Sequence, residues 1–423
     1  MVRTHSTVLT IILLLAALLC PVAASAQTSP AIAHVQTAEE ALVQDAGQYA
    51  RRYGVALDEA VRRLRAQAES VAITDRLETL YQDRLAGISI EHRPQFRIIV
   101  NLTGSQPVPD ERVMAGGMTV PIVFRTGAKA TRERVIWAIT YHQAQIRAML
   151  ATPPAMGLDP RTGELVIITG PKTVAAFGTA DALRDGIGAL TGVPVQIRMQ
   201  DRTDVNLDGA GASADAAIGT GEIEGGSRIE GIAPDDGKRY LCTTGFVVTD
   251  GRRNGVTTAA HCLDSMVYRD PQRGTIPLDF VNGWGWGYRD VQIHASDRAL
   301  RPLFYADTAR TVARAVTGQR SRASTRAGDF VCHRGERTGY SCAPVELTDF
   351  APAGDLCAGP CVPTWVTVAG PDCKGGDSGA PVFAGTIALG VVKGGSYRPD
   401  GSCAFYFYMS TDYLPAGWTL LAE

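Results

Sequence analysis

The sequence predicts a chain in two parts, a mixed α+β region followed by an all-β region. Three observations carry that reading. Of the nine cysteines, Cys20 lies near the start, none falls between residues 27 and 241, and eight lie from Cys242 onward. Before about residue 202, apolar residues recur at helical spacing within long charged stretches. After about residue 229, short apolar runs such as "TTGFVVT", "NGVTTAA" and "IALGVVKGG" alternate with glycine-rich turns, the texture of a barrel or sandwich.

The elements follow in order. Residues 1–26 read as a secretory signal peptide: Arg3, then the apolar run "VLTIILLLAALL", then the small residues "ASA". That run is too short for a good bilayer span, so the expected location is extracellular. Residues 27–202 open with a charged, alanine-rich stretch that Gly54 divides into two helices. Strands "FRIIVNL" and "TVPIVF", a helix over "RERVIWAITYHQAQIRAML", a strand "GELVIIT", a helix "ADALRDGIGALTG" and a strand "VPVQIRM" complete it. Such an order places helices on one face of a small sheet. His142 on the long helix reads as packed or solvated, not as a ligand.

Residues 203–228, "TDVNLDGAGASADAAIGTGEIEGGS" and the residue after it, hold little to bury and read as a linker. Within it, "DVNLDG" followed by Asp215 resembles a calcium loop over 204–215. Asp replaces the longer Glu at the last position and no helices flank the loop, so a flexible acidic linker is the favoured reading. No cofactor is otherwise required. The eight late cysteines read as a disulfide framework for residues 229–423. Zinc needs short Cys/His pairs, and "CAGPC" (Cys357, Cys361) has no histidine beside it, so no metal site is expected. A formal net charge of −2 without Lys/Arg blocks argues against a nucleic-acid surface, and no later segment could span a membrane.

The chemistry sits in the all-β region. Only His261, His294 and His333 occur there, and His261 ends the strand-like run "VTTAAHC". Ser378 lies in "CKGGDSGAP", and Asp290 in "GYRDVQIH" stands between the two. A nucleophile needs a base and an orienting carboxylate. The sequence contains all three, in the order His, Asp, Ser.

These motifs resemble the chymotrypsin-fold serine proteases, most closely the secreted bacterial branch of alpha-lytic protease and the streptogrisins. "CTTGFVVTDGRRNGVTTAAHC", "VCHRGERTGYSC", "CKGGDSGAP" and "GVVKGGS…GSC" fall in that family's order at nearly its spacing. More loosely, "YGVALDEAVRRL" and "DPRTGELVI" resemble the family's pro-region. The resemblance implies two antiparallel six-stranded barrels behind an α+β pro-region, hence a monomeric serine endopeptidase made as a pre-pro-enzyme. The pro-region would act as folding aid and inhibitor, and a protein or peptide would be the substrate. It implies Ser378 as nucleophile, His261 as base, Asp290 as orienting acid, and an oxyanion hole from the Gly376 and Ser378 N–H groups. Lys393, Gly394 and Gly395 would line the substrate strand. Asp270 and Asp307 are rivals to Asp290 by position. The implied cystines are Cys242–Cys262, Cys332–Cys342 and Cys373–Cys403, leaving Cys357 with Cys361.

Three departures stand out. The stretch from Cys373 to Ser378 is one residue short. His333 stands where the bacterial enzymes place an Arg that pairs with the Asp before the nucleophile, here Asp377; His333 or Arg334 could take its part. Lys393 replaces a small hydroxyl residue, and could pair with Asp290, turn to solvent, mark a register slip or, with Lys374 or His294, favour an acidic residue before the cut. A disabled binding protein that keeps the fold is therefore the alternative reading. An esterase or lipase is disfavoured, because those order the triad Ser, Asp, His.

Overall fold

A computed structural model describes residues 1–2, 34–211, 221–270, 274–370 and 372–423. The expected signal peptide lies, but for its first two residues, outside them, as does Asp215. None of the described helices is long and apolar enough to cross a membrane.

An α+β region comes first. Helix Ala38–Tyr53 begins at a capping box, in which Thr37 accepts from the Glu40 N–H and Glu40 accepts from the Thr37 N–H. It ends at Gly54, left-handed at φ 68°. The second expected helix is two, Leu57–Glu69 and Val71–Leu80, meeting at Ser70. One four-stranded sheet orders Leu85–Glu91, Arg97–Thr103, Met118–Ala128 and Glu111–Ala115. A second orders Asp349–Ala351, Ala155–Asp159, Glu164–Thr169 and Val195–Met199. Against the latter pack helices Arg132–Met149 and Ala180–Thr191, burying Val135, Ile139, Leu183 and Ile187 over Leu158 and Ile167.

The all-β region forms two barrels. Its second barrel is a single path of six strands, Gly339–Pro344, Phe330–Gly335, Pro381–Ala384, Ile387–Tyr397, Cys403–Ser410 and Val366–Ala369. A bridge between Val345 and Val368 closes it. In the first barrel the strands divide between two five-stranded sheets around Ile229, Val247, Val256, Tyr268 and Ile276. The division falls between Arg239–Thr243 and Val247–Thr249. There Gly245 passes so close to its neighbours that a Cβ would stand 2.4 Å from Thr257 Oγ1. Disulfides join Cys242–Cys262, Cys332–Cys342, Cys357–Cys361 and Cys373–Cys403.

The two regions interlock. His34–Gln36 runs parallel to Val312–Ala315, and Asp349–Ala351 of the β region completes a sheet of the α+β region. Between them Asp45 on the first helix holds Arg314, which is fully buried, at 2.8 Å. Asp45 also accepts from Tyr340 Oη and the Gly385 N–H. Buried charge of this kind is tolerated only when it is paired and hydrogen-bonded.

Candidate active site

His261 follows strand Asn254–Thr258, and the Cys242–Cys262 disulfide ties the adjacent backbone to the neighbouring sheet. Asp290 immediately precedes strand Val291–Ala295 and is buried. Ser378 sits in the turn before strand Pro381–Ala384 of the other barrel. The fold brings the three together. Asp290 Oδ2 lies 2.7 Å from His261 Nδ1, and Oδ1 accepts from the His261 N–H at 3.1 Å. His261 Nε2 lies 2.7 Å from Ser378 Oγ. A carboxylate on Nδ1 fixes the proton there and leaves Nε2 to accept from the serine hydroxyl. The rival carboxylates are engaged elsewhere: Asp270 accepts from the Gly221 N–H, and Asp307 from Thr311 and the Val312 N–H.

The turn that holds Ser378 depends on glycine. Gly376 has φ 109°, and a Cβ on it would lie 2.5 Å from Arg337 Cγ. Gly379 has φ 85°, and a Cβ there would lie 2.2 Å from Thr258 Oγ1 and 2.3 Å from the Thr243 carbonyl. Only a residue without a side chain takes that backbone at such a distance.

Asp377 meets neither His333 nor Arg334. Its carboxylate accepts from the N–H groups of Arg337, Thr338 and Lys374 and from Thr338 Oγ1. Four donors thus hold the turn without a cation. Burial still raises the Asp377 pKa, against the pull of those hydrogen bonds. Arg334 instead donates to the carbonyls of Gly226, Asp307 and Thr308. His333 is buried against the Tyr406 ring, and burial lowers its pKa to about 4.

Lys393 is the unusual member. Its ammonium is buried, 3.0 Å from Asp290 Oδ2 and 5.1 Å from the centre of the Trp365 ring. Of the four fates open to it in sequence, the structure places it in the ion pair. Burial alone would push the Asp290 carboxyl up; His261 and then Lys393 overcome it and hold the group well below the usual carboxylate range. His294, the other candidate for recognising an acidic side chain, is buried on its strand beside Phe280, with a pKa lowered by burial to about 4.

Gly394 and Gly395 follow Lys393, whose carbonyl accepts from Ser378 Oγ, and the strand edge they form is occupied. Residues Thr203–Asn206, expected to open a linker, form a strand antiparallel to Gly394–Tyr397. The Leu207 N–H donates to the Lys393 carbonyl at 3.2 Å. The N–H groups of Gly376 and Ser378 both donate to the Leu207 carbonyl oxygen, the second at 3.2 Å. Of the residues weighed as a calcium loop, Asp204 accepts from the Ala353 N–H and Val205 and Asn206 lie in the strand. Sequence reasoning missed Leu207, Trp365 and the Arg337–Thr338 donors; an apolar residue stranded in a polar linker was the one available signal for Leu207.

No protein-family model and no curated protein matches the chain. Several solved structures align with its C-terminal half. Protease A of Thermobifida fusca is 22% identical, aligned over 48% of this chain and 100% of its own, with a TM-score of 0.37. The chymotrypsin of Cellulomonas bogoriensis is 21% identical over 48% and 100%, with a TM-score of 0.36. An alpha-lytic protease homologue, N4, is 18% identical over 45% and 94%, with a TM-score of 0.35.

Proposed function

We propose that the chain is a secreted serine endopeptidase made as a precursor, with Ser378, His261 and Asp290 as its triad. The observation that carries this reading is the unbroken relay Asp290–His261–Ser378 beside two N–H groups converging on one carbonyl oxygen. An unassisted serine hydroxyl is a weak nucleophile at neutral pH. His261 Nε2 takes its proton during attack and returns it to the leaving amine, while Asp290 steadies the charged ring. The oxygen that gains charge in the tetrahedral intermediate meets the Gly376 and Ser378 N–H groups; one such donor contributes about 3 kcal/mol to a transition state of this kind. The edge strand Ile387–Tyr397 recognises substrate backbone, so an extended peptide is the ligand. The α+β region, interlocked with the barrels and reaching into the cleft, acts as inhibitor and folding template.

The test is labelling of Ser378 by a serine-reactive fluorophosphonate, with Ser378→Ala as control. Label at Ser378 that vanishes in the variant supports the peptidase; folded, cleft-free protein that takes no label refutes it. One observation favours the rival, a non-catalytic binding protein: Lys393 partly neutralises the carboxylate on which the charged imidazole depends.

A further inference from the structure

The segment crossing the cleft has the posture of a bound substrate throughout, and this inference rests on the peptidase reading above. Upstream, Asp204, Val205 and Asn206 pair with Ser396, Gly395 and Gly394. Downstream, Gly209 and Ala210 pair antiparallel with Leu241 and Tyr240, and the Gly211 N–H reaches the Arg239 carbonyl. The chain therefore adds one strand to each barrel's edge, and the first of the two residues between them presents its carbonyl to the Gly376 and Ser378 N–H groups. That residue is Leu207.

We infer that the peptide bond between Leu207 and Asp208 is this protein's own processing site, and that the pocket before the cut takes a leucine-sized aliphatic side chain. The Leu207 side chain is fully buried, in an apolar cluster with Cys373, Ala380 and Val392. Gly395 sets the pocket's depth: a Cβ there would stand 3.1 Å from Leu207 Cδ2 and 2.7 Å from Cys373 Sγ. The Lys393 ammonium is on Asp290 and so is not offered to an acidic side chain. Two residues after the Leu207 side of the bond, Gly209 passes so close to the shortened Cys373–Ser378 loop that a Cβ would lie 2.4 Å from the Gly375 carbonyl oxygen. The site thus selects glycine there as well as an aliphatic residue before the cut.

The reaction balances as an acyl transfer followed by hydrolysis. Ser378 Oγ bonds to the Leu207 carbonyl carbon while its proton passes to His261 Nε2. The bond from that carbon to the Asp208 nitrogen breaks, and His261 gives its proton to the nitrogen, leaving a Leu207 ester on Ser378. Water, deprotonated by His261, then cleaves the ester to a Leu207 carboxylate and free Ser378.

The experiment follows the full chain, as wild type, Ser378→Ala, Leu207→Lys and Gly209→Val, by intact mass and terminal sequencing, with fluorophosphonate labelling in parallel. The expected wild-type products end at Leu207 and begin at Asp208, while Ser378→Ala remains one chain. Leu207→Lys and Gly209→Val should slow this cut at least about tenfold, since burying the wrong group in a shaped pocket costs at least that much. The processed enzyme should cleave the peptide Thr-Asp-Val-Asn-Leu-Asp-Gly-Ala after Leu, and the Lys and Glu versions at least about tenfold more slowly. Ser378 labelled, with the cut elsewhere or with Leu207→Lys or Gly209→Val processed at the wild-type rate, overturns this inference and leaves the peptidase standing. Cutting of Ser378→Ala at the same bond overturns self-processing. Absence of label on folded wild-type protein whose cleft has been freed of this segment overturns both readings.

Discussion

Lys393→Met should move the acid limb of the kcat/KM–pH profile to higher pH. When His261 takes up a proton, its ring and the Lys393 ammonium become two positive charges sharing one carboxylate oxygen. Nδ1 is 2.7 Å and Nζ 3.0 Å from Asp290 Oδ2. The charges therefore stand within about 6 Å, where repulsion at an effective dielectric of 20 is about 3 kcal/mol. Removing the ammonium removes that opposition to a charged imidazole, so activity should begin to fall at a higher pH on the way down. The assay is hydrolysis of a short leucine-containing peptide by processed enzyme between pH 4 and 9, in wild type, Lys393→Met and Lys393→Arg. The Arg variant keeps the charge and should keep the wild-type limb. Lys393→Met should also unfold at lower denaturant, because truncating one member of a buried pair leaves Asp290 with less compensation. An acid limb in Lys393→Met that coincides with wild type would refute the electrostatic argument, and Lys393 would then be a packing residue.

Other expectations can be checked on the Ser378→Ala chain, which does not digest itself on the reading above. His92, His294 and His333 each have a pKa lowered to about 4, first by burial. A group whose folded pKa is depressed below its unfolded value and whose neutral form is the buried one loses stability as pH falls between the two, here from about 6.5 to 4. By pH 5 each should cost about 2 kcal/mol, read as a lower denaturant midpoint than at pH 7.5; equal midpoints would contradict it. Asp290 and Asp349 have lowered values, so their contribution is lost only in the acid range below the unfolded carboxylate pKa. Asp45→Ala leaves Arg314 buried without its carboxylate and should cost about 3–5 kcal/mol of stability; an unchanged unfolding midpoint would show the interlock to be dispensable. In the active chain, Gly376→Ala should cut kcat by about 10²–10³ by disturbing one oxyanion donor, and a drop in peptide affinity alone would argue against that role.

What could be read from the sequence was what is local or chemically distinctive. The capped helix ending at Gly54, the helix over residues 132–149 and the strand at 164–169 each show their own period and punctuation. The strand Leu85–Glu91 did not, because its start is continuous with a helical pattern and its identity comes from pairing with Arg97–Thr103. Ala155–Asp159 was hidden for a similar reason: one of its partners, Asp349–Ala351, is nearly two hundred residues away. At the site, His261 and Ser378 were legible because the chemistry demands those types among small residues. The choice of Asp290 over Asp270 and Asp307 could not be settled by spacing, and only the fold shows which carboxylate faces the imidazole. The support of Asp377 was invisible, since three of its four donors are backbone N–H groups that any residue could supply.

The stretch from 203 to 211 is the most informative miss. Its composition, polar and rich in Asp and Gly, spoke for a linker or a cation loop, and both readings take the segment's conformation to be its own. A substrate strand is different: its shape is imposed by the edges it lies on, and it needs no propensity for strand, only the absence of obstruction. That accounts for the residues present. Gly209 is bare where the Gly375 carbonyl approaches, and Leu207 is the one large apolar side chain where a pocket opens. Asp204, which looked like a metal ligand, caps the Ala353 N–H instead. A chain that must enter the cleft, present one carbonyl to the oxyanion donors and then leave should carry little order of its own, since each residue that folded upon itself would compete with the cleft for the same backbone groups. On the reading proposed above, low intrinsic structure there is the property that lets a segment of the precursor stand in for its substrate.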